Sequence, residues 1–259
     1  MKHLNIRIMG VVLAGMSVFA SCSKNDNPVE MVSRTVQSID IYSGADDVFK
    51  KESTYRFIYN DRKLVKVEND RQASEITYTY YAADSLSYSD IREVGSTVEW
   101  NKISAKLKDG KIRSCYSNKM GFMTYSYENN FVTSAMVGSN LILDYEWDKN
   151  NLYITSKGLP GNGYFNTSYV LSNVLNNYSI DLNVLSQLVD NRENYTDVMN
   201  TYGQMIGILG TKNPYILENM DFSYDYSYDR NGRVTSVSMD TRKSDGHARS
   251  FSFKIKYTN

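Results

Sequence analysis

The sequence predicts a mainly β protein: an antiparallel up-and-down meander that forms a barrel or a strongly curved sheet, with two short helices inserted near residues 180–210. Three observations support this prediction. Apolar and polar residues alternate with period two over many short segments, as in half-buried strands. Asx- and Gly-rich turns separate those segments. The chain also contains 22 tyrosines and only 3 prolines, which suits paired strands with one wet face.

Each alternating segment places its aromatic or aliphatic side chains on one side. Because successive side chains of a strand point to opposite faces, such a segment buries one face and exposes the other. Six segments show this pattern most clearly, namely residues 55–59, 76–80, 103–107, 123–127, 141–147 and 222–228.

Short turn sequences join neighbouring strands. Residues 108–111, 148–151 and 230–233 are rich in Asp, Asn and Gly, which tolerate the positive φ of tight hairpin turns. A unit made of an aromatic residue, an Asx-rich turn and an outgoing strand recurs, and each copy predicts one hairpin. A meander of many such hairpins must curl or close to protect its edges. The copies begin at Tyr59, Tyr127, Trp147 and Tyr228.

One stretch, about residues 172–210, departs from the period-two pattern. Apolar residues follow helical spacing over 180–189, where Asp181 is placed to cap the helix N-terminus. A second helical pattern covers 197–209, and Gly210 is placed to end it. Both helices need a partner for their apolar faces, and we expect them to plug one end or the lumen of the sheet.

The first 21 residues predict a lipoprotein signal peptide. Lys2 and Arg7 precede an apolar run over 8–20, and small residues stand directly before Cys22. The apolar run is shorter than the ~20 residues that a helix needs to cross a bilayer. The cysteine at the cleavage point resembles the lipobox of bacterial lipoproteins, in which this residue is lipidated. We therefore expect Cys22 to be lipidated.

The predicted mature chain divides into two parts. Residues 22–31 are polar and form a lipidated flexible tether, and residues 32–259 form a single β-meander domain with the helical insert. Ser23 follows the cysteine in place of the aspartate associated with inner-membrane retention. We expect a lipid-anchored protein of the bacterial outer membrane, on the periplasmic face or at the cell surface.

Several motifs together resemble a known group. They look like those of uncharacterised Bacteroidetes-type outer-membrane lipoproteins with a porin-like β-meander domain. The motifs are the 19–22 segment, the Tyr-rich hairpin at 228–233, the helix entry at 181–183 and the helix exit at 209–210. The hairpin unit is also similar to YD-type repeats. This resemblance implies a fold and a location in the cell envelope, and it supplies no catalytic residues.

The residues that carry most enzyme chemistry are scarce. His247 is the one histidine after the signal peptide, and Cys115 is the one cysteine left after lipidation, so we expect Cys115 to be buried in a strand. No nucleophile, phosphate-loop or metal motif occurs, so we assign no catalytic residue, metal or cofactor. The net charge is +0 without a basic stripe, which argues against nucleic acid. A glycan hydrolase would need two acids across one groove, and the candidates by type are Glu75, Asp90, Glu93, Glu99 and Glu218.

The aromatic residues indicate a binding role. We expect a non-enzymatic module for a glycan, a peptide or a partner protein, because aromatic rings offer flat amphipathic contact surfaces. The alternatives are a barrel-type carrier of a small apolar ligand, a glycan hydrolase and a purely structural envelope protein. The candidate ligand-stacking residues are Trp100, Trp147, Tyr145, Tyr224 and Tyr226.

Overall fold

The structure is a computed structural model that describes most of the chain after residue 32. The predicted signal peptide, Cys22 and the tether lie outside the described residues. The described ranges are 33–45, 48–71, 74–94, 97–118, 120–148, 151–156, 165–168, 170–189, 203–209, 215–219, 222–241 and 250–258.

These residues form seventeen strands and one short helical segment. The strands are β1 Val36–Ala45, β2 Val48–Asn60, β3 Lys63–Asn69, β4 Ser74–Ala82, β5 Ser85–Val94, β6 Thr97–Lys108, β7 Lys111–Ser117, β8 Gly121–Glu128, β9 Phe131–Val137, β10 Asn140–Asp148, β11 Asn151–Ser156, β12 Phe165–Ser168, β13 Val170–Leu175, β14 Tyr215–Asn219, β15 Phe222–Tyr228, β16 Val234–Thr241 and β17 Ser250–Tyr257. A 3₁₀ turn at Leu182–Val184 leads into helix α1, Leu185–Val189.

The strands form one antiparallel meander, as predicted. From β2 to β12 each strand pairs with the next along the chain, and the same holds from β13 to β17. Strand β1 pairs with both β2 and β17, so the first and last strands are neighbours. The described pairings contain no ladder between β12 and β13, so they do not close the sheet, and the predicted barrel is not confirmed.

Tight turns fix the register of the hairpins. In the turns at 60–63, 108–111 and 128–131, both central residues have positive φ, as type I′ turns require. The central Asp109 and Gly110 have φ of 53° and 73°, and the flanking Lys108 and Lys111 are register partners. Hairpins therefore occur where the Asx- and Gly-rich sequences predict them.

The sheet has one buried face and one polar face. In β2, for example, Tyr55 and Phe57 are buried and Arg56 between them is exposed. A strand surface that faces lipid carries apolar side chains, whereas this polar face carries charged ones, and it is therefore suited to water. Charged side chains on this face include Arg56, Lys66, Glu68, Glu75, Lys102, Lys106, Asp225, Lys254 and Lys256. Among the described residues, no helix has the length and hydropathy of a membrane span.

The first predicted helix is present, and the second is not confirmed. Asp181 caps the first, since its side chain accepts a hydrogen bond from the Asn183 backbone. Residues 197–202 of the second lie outside the described part, and 203–205 form only a single helical turn. The chain leaves this turn at Gly207, which has φ of 76°, and the predicted end at Gly210 lies outside the described residues. Ile208 N–H donates to the Gly203 carbonyl at 3.0 Å, the 6→1 bond of a Schellman motif.

The insert packs into the core at one end of the sheet. The Ile208 carbonyl accepts a hydrogen bond from the Ile112 backbone N–H at 2.8 Å, directly after the β6–β7 turn. The Tyr178 hydroxyl accepts one from the Val234 backbone N–H at 3.0 Å, directly after the β15–β16 turn. The insert therefore joins strands that are far apart in the meander. Its core side chains are Tyr178, Ile180, Leu182, Val184, Leu185, Met205 and Ile208.

Candidate functional site

Most of the predicted ligand-stacking aromatics belong to the core. Tyr145 and Tyr224 are buried, with exposed fractions of 8% and 7%. Tyr226 is half-buried and stacks on Tyr224, with ring centroids 6.4 Å apart. Trp147 is also half-buried and packs against the core, and the side chain of Trp100 lies outside the described part. The four described residues therefore do not form an exposed platform.

A repeated hydrogen bond gives Trp147 and four tyrosines a structural role. Tyr127, at the end of β8, donates its hydroxyl to the Ile112 carbonyl at 2.8 Å, and Trp147, at the end of β10, donates its indole N–H to the Val132 carbonyl at 2.7 Å. Each acceptor is a buried aliphatic residue that lies beside a register shift in its ladder. Equivalent bonds run from Tyr59 to Val36, Tyr80 to Leu64 and Tyr257 to Val234.

This recurrence gives the aromatic position of the hairpin unit a structural role. A β-bulge disrupts the ladder and leaves backbone groups in need of another partner. The aromatic side chain of the neighbouring strand supplies that partner and buries its ring at the same time. Much of the tyrosine excess is therefore a property of the fold.

The thiol of Cys115 is unreactive because it is buried. Cys115 is buried in β7, as predicted. Burial raises the pKa of the Cys115 thiol to about 12, so it stays protonated at neutral pH, whereas the nucleophilic species is the thiolate.

Glu75, the one predicted acid whose side chain the structure describes, is bound by a lysine. The Glu75 carboxylate accepts a 2.8 Å ion pair from Lys66, which lowers the pKa of Glu75. A general acid needs the opposite shift. Within the described residues no group of three or more His, Cys, Asp or Glu side chains is placed to hold a metal ion. Four of the predicted candidates, Asp90, Glu93, Glu99 and Glu218, have side chains outside the described part, as has His247.

A different set of aromatics is exposed on the polar face of β4–β8. Tyr81, Tyr116 and Phe122 have exposed fractions of 66%, 57% and 55%. Tyr116 and Phe122 are direct register partners on β7 and β8. The Tyr81 hydroxyl lies 3.1 Å from the Ser87 hydroxyl on β5. The three rings thus occupy a single side of five consecutive strands.

Hydroxyls and lysines lie between these rings. Ser104 on β6 is the register partner of both Ser87 and Tyr116, so one row across the sheet runs through the site. Lys102 and Lys106 lie two residues to either side of Ser104 on the same face, and both are exposed. We call this surface the aromatic–lysine band, and its members are Tyr81, Lys102, Ser104, Lys106, Tyr116 and Phe122.

Unlike Lys102 and Lys106, several lysines elsewhere on the polar face pair with a described carboxylate. Asp40 on β1 receives ion pairs from Lys51 at 2.8 Å and Lys256 at 3.1 Å and a hydrogen bond from Thr54 at 2.9 Å. Burial by itself raises the pKa of Asp40, but the hydrogen bonds from Lys51, Thr54 and Lys256 outweigh it and lower the pKa to about 2.

Comparison with solved structures gives a match at the level of fold. The fold resembles a porin-like protein. That structure, from Bacteroides uniformis ATCC 8492, aligns with a TM-score of 0.61 at 16% identity and covers 85% of this chain and 98% of its own. A second porin-like protein, from Bacteroides vulgatus ATCC 8482, aligns with a TM-score of 0.41 at 9% identity over 86% of this chain and 99% of its own. No family model and no curated protein matches the sequence.

The porin-like protein from Bacteroides uniformis agrees with the predicted resemblance in fold. It does not assign a ligand or an activity to this chain, because likeness at such low identity concerns the fold alone.

The sequence contains a signal for the band that the prediction did not use. Tyr81 follows inward residues at 76, 78 and 80, so it falls on the opposite face. Phe122 is likewise out of phase with the inward residues at 123, 125 and 127. Tyr116 directly follows the buried Cys115. An aromatic residue that is out of phase with its strand's apolar alternation therefore indicates an outward ring.

Proposed function

We propose that this protein is a non-enzymatic binding module of the bacterial envelope, anchored by a lipid on Cys22, and that it binds a glycan through the aromatic–lysine band. The observation that carries the proposal is the exposure of Tyr81, Tyr116 and Phe122 on a face that is otherwise polar. Large aromatics exposed together on a surface commonly mark an interaction site. The exposed Ser104 hydroxyl beside the rings adds a donor and acceptor for a hydroxylated ligand.

The backbone of the band favours a glycan over an extended peptide. A peptide that binds by strand addition needs an exposed sheet edge. Strands β5, β6, β7 and β8 are each paired on both sides, so their backbone groups are already used. Recognition must then depend on side chains, and flat rings with neighbouring hydroxyls suit a sugar.

The core supports this choice over a carrier of a small apolar ligand. Such a carrier needs an apolar cavity inside its barrel. The insert side chains Ile180, Leu185 and Ile208 are part of the packed core on the buried face, where the ligand would have to lie.

Glycan-array binding followed by affinity measurement tests the module. We expect the double variant Tyr116→Ser/Phe122→Ser to lose at least tenfold in affinity for a bound glycan, because about 1–2 kcal/mol of aromatic contact is removed. The matched control is Phe49→Ser/Tyr228→Ser, which removes two exposed aromatics elsewhere. Equal affinity of both variants, or no glycan bound by the wild type, would contradict the proposal.

Metabolic labelling with a palmitate analogue tests the anchor. We expect the wild-type chain to incorporate the label and Cys22→Ser to incorporate none, because the lipobox cysteine is the residue that receives the lipid. Incorporation that survives the substitution would place the lipid elsewhere.

A further inference from the structure

We propose that the ligand of the aromatic–lysine band is an acidic polysaccharide, an inference that rests on the binding function proposed above. Four cations of β6 and β7 support this choice. Lys102, Lys106, Lys108 and Arg113 are all exposed on these two strands. Within the described residues, none of the four has a carboxylate within ion-pair distance.

Elsewhere on the polar face, three lysines pair with carboxylates, and Lys254 lies over the Tyr42 ring, 4.8 Å from its centroid. Lys51 and Lys256 share Asp40, and Lys66 pairs with Glu68 at 2.9 Å and with Glu75 at 2.8 Å. Those cations stabilise contacts between strands. The four cations of β6 and β7 have no such role in the described structure, and they leave a local excess of positive charge beside the rings.

The described acids near these cations lie at the ends of the strands. Asp84 is in the β4–β5 turn and Asp109 is in the β6–β7 turn, and both are exposed. Neither forms an ion pair with the four cations. At the centre of the band, an anionic ligand therefore has few protein carboxylates to compete with for these cations.

The spacing of the lysines favours a polymer over a small anion. Lys102 and Lys106 are four residues apart on one strand, about 13 Å at ~3.3 Å per residue. From Ser104 to Phe122 the row crosses two strand spacings, about 10 Å. A single phosphate or acetate cannot contact both lysines and the rings. A chain of sugars with repeated acidic groups spans these distances and places a sugar on each ring.

The test compares acidic and uncharged polysaccharides on the full mature protein. The acidic probes are polygalacturonate and heparin, and the uncharged probes are fully methyl-esterified polygalacturonate and dextran. We expect an acidic probe to bind at least tenfold more tightly than the uncharged ones, with an affinity that falls as salt increases.

Two charge variants locate the effect. Lys102→Gln/Lys106→Gln is expected to weaken acidic-probe binding at least tenfold, about the loss of one charge-assisted contact. The control Lys50→Gln/Arg230→Gln makes the same change in net charge at exposed positions on β2 and in the β15–β16 turn, and is expected to bind like the wild type. Far-ultraviolet circular dichroism checks that both variants fold.

The outcomes separate this inference from the binding function. Equal binding of acidic and uncharged polysaccharides that still depends on Tyr116 and Phe122 would overturn the acidic class and leave the binding module standing. Binding of polyglutamate as tight as that of polygalacturonate would overturn the choice of a polysaccharide. The absence of binding to any polysaccharide would overturn both proposals.

Discussion

Tyr127 shows how one hydroxyl stabilises a bulge in the neighbouring ladder. Its ring packs against the core and its hydroxyl binds the Ile112 carbonyl at 2.8 Å. We expect Tyr127→Phe to lower the free energy of unfolding by about 1 kcal/mol, because the carbonyl loses its partner and the ring remains. Urea denaturation measures this change. Tyr116→Phe is the control, since that hydroxyl is on an exposed ring, and an equal loss in both variants would contradict the role given to Tyr127.

Asp40 makes the stability depend on pH. Its pKa is about 2 in the folded protein and 3.8 in the unfolded chain. Because the folded value is the lower one, the stabilisation is complete above pH 3.8 and is lost as the pH falls through about 2. We expect Asp40→Asn to cost about 1–3 kcal/mol at neutral pH and much less at pH 2. Chemical denaturation at both pH values measures it, with the exposed Asp225→Asn as control.

At the scale of residues, the sequence predicted the state of the Cys115 thiol better than it predicted which aromatic side chains are exposed. The burial of Cys115 followed from its position in an alternating strand and from its being the one remaining thiol. The structure places Tyr145 and Tyr224, two of the predicted ligand-stacking residues, in the core, because both lie in phase with the buried face. Composition alone does not distinguish a ring that caps a bulge from one that faces solvent, whereas phase within the strand does.

The helical insert ends on a glycine whose conformation is required by its cap. Gly207 has φ of 76°, and a Cβ added there would meet no atom within 4 Å, so backbone strain is the main cost of a side chain. We expect Gly207→Ala to destabilise the protein by about 1 kcal/mol, and Gly207→Asn by less, because Asn tolerates the left-handed region. Thermal unfolding compares the two, and an Ala variant as stable as the wild type would contradict the Schellman cap.

Among the elements, hairpins were predicted more reliably than the insert. A tight turn is specified by two adjacent residues, such as Asp109 and Gly110, and the period-two pattern fixes the strands on both sides. The insert depends on contacts that are distant in sequence, such as the bond between Ile112 and Ile208. The last described turn of the insert ends at Gly207, whereas helical periodicity predicts an end at Gly210, which lies outside the described residues.

At the scale of the molecule, the polar face predicts how the protein meets a membrane. Rows of Lys, Arg, Asp and Glu on this face disfavour insertion of the strands into hydrocarbon. We expect the chain that carries the proposed lipid on Cys22 to enter the detergent phase in Triton X-114 partition. A chain that starts at Ser23 and is exported by an ordinary secretory signal should stay in the aqueous phase. Its entry into the detergent phase would contradict a water-facing sheet.

The position of β1 determines how the domain bears a mechanical load. A pull at Ser33 acts along β1, which is bonded to β2 on one side and to β17 on the other. The backbone bonds of both ladders lie across the direction of that pull, so they resist it together in shear and do not open one after another. A force applied at the start of β1 would therefore have to break both ladders at once to separate this strand from the sheet.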